Sequence, residues 1–290
     1  MENQKAKIIS FYFQKGGVGK TTTAINIAAY LSTFFVEEET QRRNKVLFID
    51  ADPHASATKY FGCYDINGDT IYDVFKGKKR IPDVVKHFEY EYFGAEENNI
   101  CSIDFVPSTE NMQDISTNYF MLKYRDARLN LALREVMDKY DYILIDCPPQ
   151  TQALFKNIFN VTDYFILCTE ALTMDIDALG HSYRMINELT TLKGKAHGKI
   201  LGIVVDKYFP NFRVDIMSNT RQKDIVQRCA SKFYVFNYKI PFSECVCTSS
   251  SRRIPMPFFH KQMHNSKDTH RGFINLTLEI LERIKEMEAK

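Results

Sequence analysis

Short unbroken apolar runs recur along the chain, and most are followed by a stretch with helical spacing. Residues 7–13 (Lys-Ile-Ile-Ser-Phe-Tyr-Phe) read as a buried strand, and residues 21–35, with Ile25, Ala28, Ala29 and Leu31, as a helix. A polar turn over residues 37–44 precedes Val46-Leu47-Phe48-Ile49, a second strand. Residues 64–101 are mixed, with Gly68, Gly77 and Pro82, and are expected to hold short helices. A short strand follows at 103–106, then helical periodicity over 121–139 through Leu122, Leu129, Leu133, Val136 and Met137. Strands are predicted at 142–146, 164–168 and 200–205, with helices over 175–192 and 213–232 and an amphipathic segment over 273–290. Runs that are apolar throughout, not alternating, imply a sheet covered on both faces. Alternation of strand and helix implies mostly parallel strands. The expected fold is α/β, a doubly wound and mostly parallel sheet, in one domain over residues 1–290.

What lies between the first strand and first helix adds chemistry. Residues 14–22 read Gln-Lys-Gly-Gly-Val-Gly-Lys-Thr-Thr. The general phosphate-loop pattern is Gly, four residues, then Gly-Lys-Ser/Thr. Gly19-Lys20-Thr21 fits its end, while Gln14 stands where the first Gly belongs and Lys15 sits beside it. Gly16, Gly17 and Gly19, with Val18 between them, let successive N–H groups turn inward and bind an anion at a helix start. Lys20 is placed to reach the β- and γ-phosphates, and the Thr21 hydroxyl to ligate Mg²⁺.

Ligands of such sheets bind beyond the carboxyl ends of the strands. Asp50 and Asp52 follow the second strand, and Asp146 closes Ile143-Leu144-Ile145. A carboxylate after four apolar strand residues is the second metal element of phosphate-loop proteins, so Asp50 and Asp146 join Thr21 as metal candidates, partly through water. Asp52 precedes Pro53, which suits both a helix cap and a base that holds an attacking water.

Composition bounds the rest. The 290 residues are 44% hydrophobic and contain no apolar run of about 18, so no membrane span is expected. The first six residues lack an apolar signal core, which points to the cytoplasm. The seven cysteines form no Cys-x-x-Cys pair and read as buried or inert thiols. Net charge is +2, unevenly spread. Residues 193–290 hold 18 Lys and Arg against 9 Asp and Glu, a net +9, and residues 1–192 hold 20 against 27, a net −7. Such asymmetry points to an anionic partner for the C-terminal part. Arg221, Lys223, Arg252, Arg253, Lys261 and Arg271 are the candidate phosphate contacts.

Lys15-Gly-Gly-Val-Gly-Lys20-Thr21-Thr22, Phe48-Ile-Asp-Ala-Asp52-Pro and Tyr142-Ile-Leu-Ile-Asp146-Cys-Pro-Pro occur in this order. Together they resemble the deviant Walker A ATPases, specifically the ParA/Soj branch of the ParA/MinD superfamily. Thr70-Ile-Tyr-Asp-Val, Phe105-Val-Pro-Ser108, Asp163-Tyr-Phe-Ile-Leu and Ile240-Pro241 extend the likeness from about residue 7 to 280. The resemblance implies ATP and Mg²⁺ as cofactors and an ATP-bound sandwich homodimer. In it Lys15 crosses to the partner's nucleotide, Asp52 orients water, and Thr22 touches the α-phosphate. Lys15, Asp52 and Lys20 are then the catalytic set, and Asp206 and Pro241 the expected adenine contacts. The implied partners are non-specific double-stranded DNA and a ParB-like centromere-binding protein that stimulates a weak ATPase, with the protein associated with the nucleoid.

Only six residues precede the first strand, so an N-terminal helix-turn-helix is not expected. The stretch 244–257 does not match the late loop of the family. The alternative is a MinD-like membrane-cycling ATPase. It would need a basic amphipathic C-terminal helix, yet the polar face of 273–290 carries Glu279, Glu282, Glu286 and Glu288, and docking on the sheet is the preferred expectation.

Overall fold

The computed structural model describes residues 6–36, 42–93, 98–117, 125–149, 152–192, 198–209, 211–259 and 266–289. Six strands run parallel: β1 (Lys7–Tyr12), β2 (Val46–Asp50), β4 (Asn98–Val106), β5 (Tyr142–Asp146), β6 (Tyr164–Thr169) and β7 (Lys199–Val205). The edge strand β3 (Lys86–Phe93) pairs antiparallel with β4, giving the order β3-β4-β2-β5-β1-β6-β7. All five residues of β2, and the last four of β5, are buried, as expected for strands covered on both faces.

The sequence reading did not anticipate β3. Its Lys-His-Phe-Glu-Tyr-Glu alternation is that of a half-buried edge, with Phe88 packed 4.9 Å from the Phe61 ring and Lys86, His87 and Glu89 exposed. The short helices expected nearby do form, as α3 (Ile71–Lys76) and α4 (Ile81–Val84). In α3 the Thr70 hydroxyl accepts from the Tyr72 N–H and Asp73 accepts from the Thr70 N–H, a reciprocal cap.

Helix α1 (Lys20–Phe34) is buried on nearly every side. The sheet covers one side, and α11 (Met256–Phe259) and α12 (Lys267–Glu288) cover the other. Tyr30 of α1 stacks on Phe273 of α12 at 5.7 Å. Phe273, Leu276, Ile280 and Ile284 are buried, so the apolar face of the C-terminal helix lies on the protein as expected. The remaining helices are α2 (Ser56–Tyr60), α5 (Met112–Thr117), α6 (Arg128–Leu133), α7 (Gln152–Val161), α8 (Thr173–Leu192), α9 (Gln222–Ala230) and α10 (Glu244–Arg252).

Three expectations need correction. The helix expected over 213–232 is a hairpin, β8 (Arg213–Asp215) with β9 (Thr220–Arg221), followed by the shorter α9. Asp215 accepts from the N–H of Met217 and Ser218, which closes a turn and defeats the helical pattern. The helix expected over 121–139 is only α6 followed by turns, and residues 118–124 lie outside the described residues. The stretch 244–257 is not a loop. Ser243 accepts from the Val246 N–H and caps α10, which closes at Arg253 in the left-handed conformation.

Candidate nucleotide site

The site grows from the carboxyl ends of β1, β2 and β5. Register puts Asp50 and Asp146 directly side by side on adjacent strands. Between β1 and α1 the loop turns through left-handed Gly17 (φ 77°) and Gly19 (φ 82°). A Cβ at Gly19 would lie 2.4 Å from the Asp206 Cγ, so any side chain there would strain the left-handed backbone and displace Asp206. Gly19 caps α1 without any side-chain bond, which leaves the first N–H groups of the helix free for an anion. Lys20 is buried, and its Nζ donates to the Lys15 carbonyl at 3.2 Å, which holds it against the loop.

The carboxylates have distinct surroundings. Asp50 accepts from the Thr58 N–H (2.9 Å), the Thr58 hydroxyl (2.7 Å) and the Asp52 N–H (3.1 Å). Burial still pushes its carboxyl up to about 6. Asp146 accepts from the Thr21 hydroxyl at 2.6 Å through Oδ2, while its Oδ1 is buried and has no partner. Burial first, then the neighbouring Asp50, raises its carboxyl well above the usual range. Two buried carboxylates, an orphaned oxygen and a hydroxyl within 2.6 Å fit a hard divalent cation held mostly through water. Asp52 is less enclosed. One of its oxygens accepts from the His54 N–H at 2.9 Å and lies 2.9 Å from the His54 ring nitrogen.

A cleft of about 590 Å³ joins these parts and is lined by Gly16, Gly17, Gly19, Lys20, Thr21, Thr22, Asp52 and Asp206, among others. Lys15 does not line it. It borders an adjoining hollow with Gln14, Pro148 and Pro149, and its Nζ lies 3.5 Å from the buried Asp175. Asp206 follows β7, and burial lifts its carboxyl to about 6. Its position against Gly19 puts it beside the loop. Pro241 pairs with Tyr208 in a one-residue bridge and does not border the cleft. Val18 is fully buried beneath the loop.

The basic candidates separate. Arg252 and Arg271 are exposed on α10 and α12, and Lys223 on α9, while Arg221 is half-buried at the start of α9. Arg253 instead lines the nucleotide cleft. Lys261 lies outside the described residues. Sequence reasoning missed Thr58, Asp175, Lys59, Ser250 and Lys207, whose Nζ donates to the Gly17 carbonyl at 2.7 Å. Thr58 follows the second carboxylate motif by only six residues, but nothing in the sequence marks it as the support of Asp50.

Residues 6–197 match the family model described as an AAA domain. The chain is 31% identical over 162 residues to the sporulation initiation inhibitor protein Soj of Bacillus subtilis, a match that spans 56% of this chain and 57% of Soj. It is 31% identical over 186 residues to the chromosome partitioning protein ParA of Myxococcus xanthus, spanning 63% of this chain and 59% of the relative. These matches therefore span less than two thirds of each relative. The ParA of Caulobacter vibrioides is 25% identical over 295 residues, covering 100% of this chain and 99% of the relative. Among solved structures, a plasmid partition protein of Borrelia burgdorferi bound to AMPPNP has a TM-score of 0.69 at 23% identity, over 96% of this chain and 99% of that one. The apo McdA of Cyanothece has a TM-score of 0.71 at 21% identity, over 95% and 99%. These structural likenesses concern the fold. Taken with the loop and the paired strand-end carboxylates, the match over residues 6–197 means that the chain belongs to the AAA-domain family, as a ParA/MinD-type P-loop ATPase.

Proposed function

We propose that the protein is a ParA-type ATPase for partitioning DNA, acting as an ATP-dependent sandwich dimer on non-specific DNA. The observation that carries this reading is that Lys15 lies outside the lining of the cleft that Lys20 borders. Lys15 borders the adjoining hollow and not the cleft, with its Nζ 3.5 Å from Asp175, and by exchanging that ion pair it could serve a nucleotide other than its own. In a face-to-face dimer that nucleotide is the partner's, where Lys15 would offset phosphate charge as an arginine finger does.

Within one protomer the roles follow from position. The N–H groups of Gly16 to Thr21 and the Lys20 ammonium bind the β- and γ-phosphates. Thr22 stands next in the helix for the α-phosphate, and Asp206 beside Gly19 is assigned to the adenine end, with Pro241 behind it. Thr21, Asp50 and Asp146 would hold Mg²⁺, which supplies charge neutralisation between the phosphates. Asp52, whose carboxylate is anchored by the His54 N–H, orients the attacking water. The exposed Arg252, Arg271 and Lys223, with Arg221, give the DNA-facing charge, and a ParB-like protein would stimulate a weak intrinsic turnover. A cytoplasmic, nucleoid-associated, single-domain protein accords with this. The MinD-like alternative would need the apolar face of α12 free for lipid, and that face packs on α1 and β7.

Fluorescence anisotropy on a random DNA duplex, with and without ATP and Mg²⁺ across a salt series, tests the proposal. Tight binding is expected only with ATP, with log affinity falling linearly in log salt. A nucleotide-dependent dimer that ignores DNA at low salt would overturn it. In the same protein Lys20→Ala should abolish ATP binding.

A further inference from the structure

The nucleotide cleft carries two cations that belong neither to the glycine loop nor to the strand ends. Lys59, on α2, and Arg253, at the end of α10, both line the cleft, as do Ser56, Tyr60 and Ser250. They are 194 positions apart in sequence, yet the Arg253 side chain reaches the turn that ends α2. A Cβ at Gly62 would sit 3.5 Å from an Arg253 guanidinium nitrogen. The Lys59 Nζ donates to the His54 carbonyl at 2.8 Å and so hangs over the segment that carries Asp52. Among the described residues neither cation is paired with a carboxylate.

Backbone geometry adds a second observation. Arg253 closes α10 at φ 58° and ψ 35°, donating its N–H to the Ser250 carbonyl. That left-handed position ordinarily takes glycine or asparagine, because a Cβ there is strained. The Tyr90 hydroxyl donates to the Arg253 carbonyl at 3.2 Å and pins it from the edge strand. An exposed arginine whose strained backbone is held through both its N–H and its carbonyl, and which lines the cleft of the glycine loop, is the arrangement of a ligand contact.

We propose that Arg253 and Lys59 form a cationic clamp on the phosphate chain of the bound nucleotide, outside the glycine loop; this rests on the nucleotide reading above. Arg253 is thereby a nucleotide-binding residue and not a DNA contact. Its chemical preference is for di- and triphosphates, whose oxygens accept from a planar guanidinium and an ammonium together. The clamp also joins α2, which follows the metal-site carboxylates, to α10 of the basic half.

Titration of the full-length protein with a fluorescent ATP analogue tests the clamp. Arg253→Gln and Lys59→Gln are each expected to weaken binding about tenfold, and Arg253→Lys by less. Lys232→Gln, in the same basic half but outside the cleft, should bind like the parent. Displacement of the analogue by inorganic tripolyphosphate should weaken in step with ATP. Thermal melting of each variant without nucleotide separates lost contact from lost fold. If Arg253→Gln binds the analogue as the parent does, or loses it while tripolyphosphate competes unchanged, the clamp is wrong. It is equally wrong if, at saturating ATP, Arg253→Gln loses DNA binding with nucleotide affinity intact. If the parent itself binds no analogue, the nucleotide reading fails, an outcome distinct from parent-like binding by Arg253→Gln.

Discussion

The carboxyl edge of β1, β2 and β5 and the segment from Asp206 to Phe259 handle charge in opposite ways. The first buries Lys20, Asp50 and Asp146 almost completely and gives most of their polar atoms partners, Asp146 Oδ1 excepted. The second keeps its cations at helix ends and on exposed faces, where few are paired. A buried charge demands named partners at fixed spacing. An exposed one demands only solvent, so its residue type carries little information about its role. Arg252 and Arg253 illustrate this within two residues: both are exposed, yet one lies near the Phe259 ring and the other lines the nucleotide cleft.

The largest expected effect bears on how the two regions are joined. Phe273→Ala, in the stack with Tyr30, should cost about 3–5 kcal/mol of stability, measured by denaturant unfolding, because it empties the contact between α12 and α1. A loss under about 1 kcal/mol, together with ATP-dependent sedimentation with liposomes, would favour a helix that leaves the body.

Asp206 lies at the seam between the regions. Its carboxyl is lifted from the ordinary range to about 6 by burial, so the folded chain disfavours its charged form. Stability from the protonated group is full below the unfolded value near 4 and drains away as pH rises through 6. Asp206→Asn removes that loss and should be more stable than the parent by about 3 kcal/mol at pH 8, of which about 1.5 kcal/mol develops between pH 5 and pH 8. Parallel melts at the two pH values check it, and a pH-independent difference would remove the buried-charge account.

Lys15→Ala sharpens the dimer argument. Turnover should fall about a hundredfold, near 2.7 kcal/mol of barrier, while ATP binding stays within about threefold. Unchanged hydrolysis would end the cross-dimer role. The smallest effects are expected on the exposed side. Lys223→Gln or Arg271→Gln should each lower DNA affinity by about 1 kcal/mol or less and reduce the salt slope by about one. Variants that leave both quantities untouched would remove those residues from the DNA surface.

The legible parts of the chain were those whose meaning is local. The strands at 7–13, 46–49, 142–146 and 164–168 stood out because a strand buried on both faces must be apolar throughout. The glycine loop stood out because its backbone geometry admits few residues, and Asp50 and Asp146 because a charge directly after such a strand has little structural use. The hairpin at 213–221 was read as helix because its apolar residues, among them Ile216 and Met217, mimic helical spacing while lying exposed. The helix α10 was hidden by its Thr-Ser-Ser-Ser run, which has little intrinsic helical preference and depends on the Ser243 cap and on burial of Cys245, Val246 and Ser249.

By itself the sequence determined the parallel strands of the sheet, the glycine loop and the identity of the carboxylates, since each follows from neighbours a few residues apart. Only the tertiary structure decided that Asp206 is seated on Gly19, that Thr58 supports Asp50, and that Lys15 borders the adjoining hollow while Arg253 lines the cleft. Those relations join residues 8 to more than 190 positions apart. Their energy depends on side-chain distance in the folded chain, a quantity that local spacing does not encode.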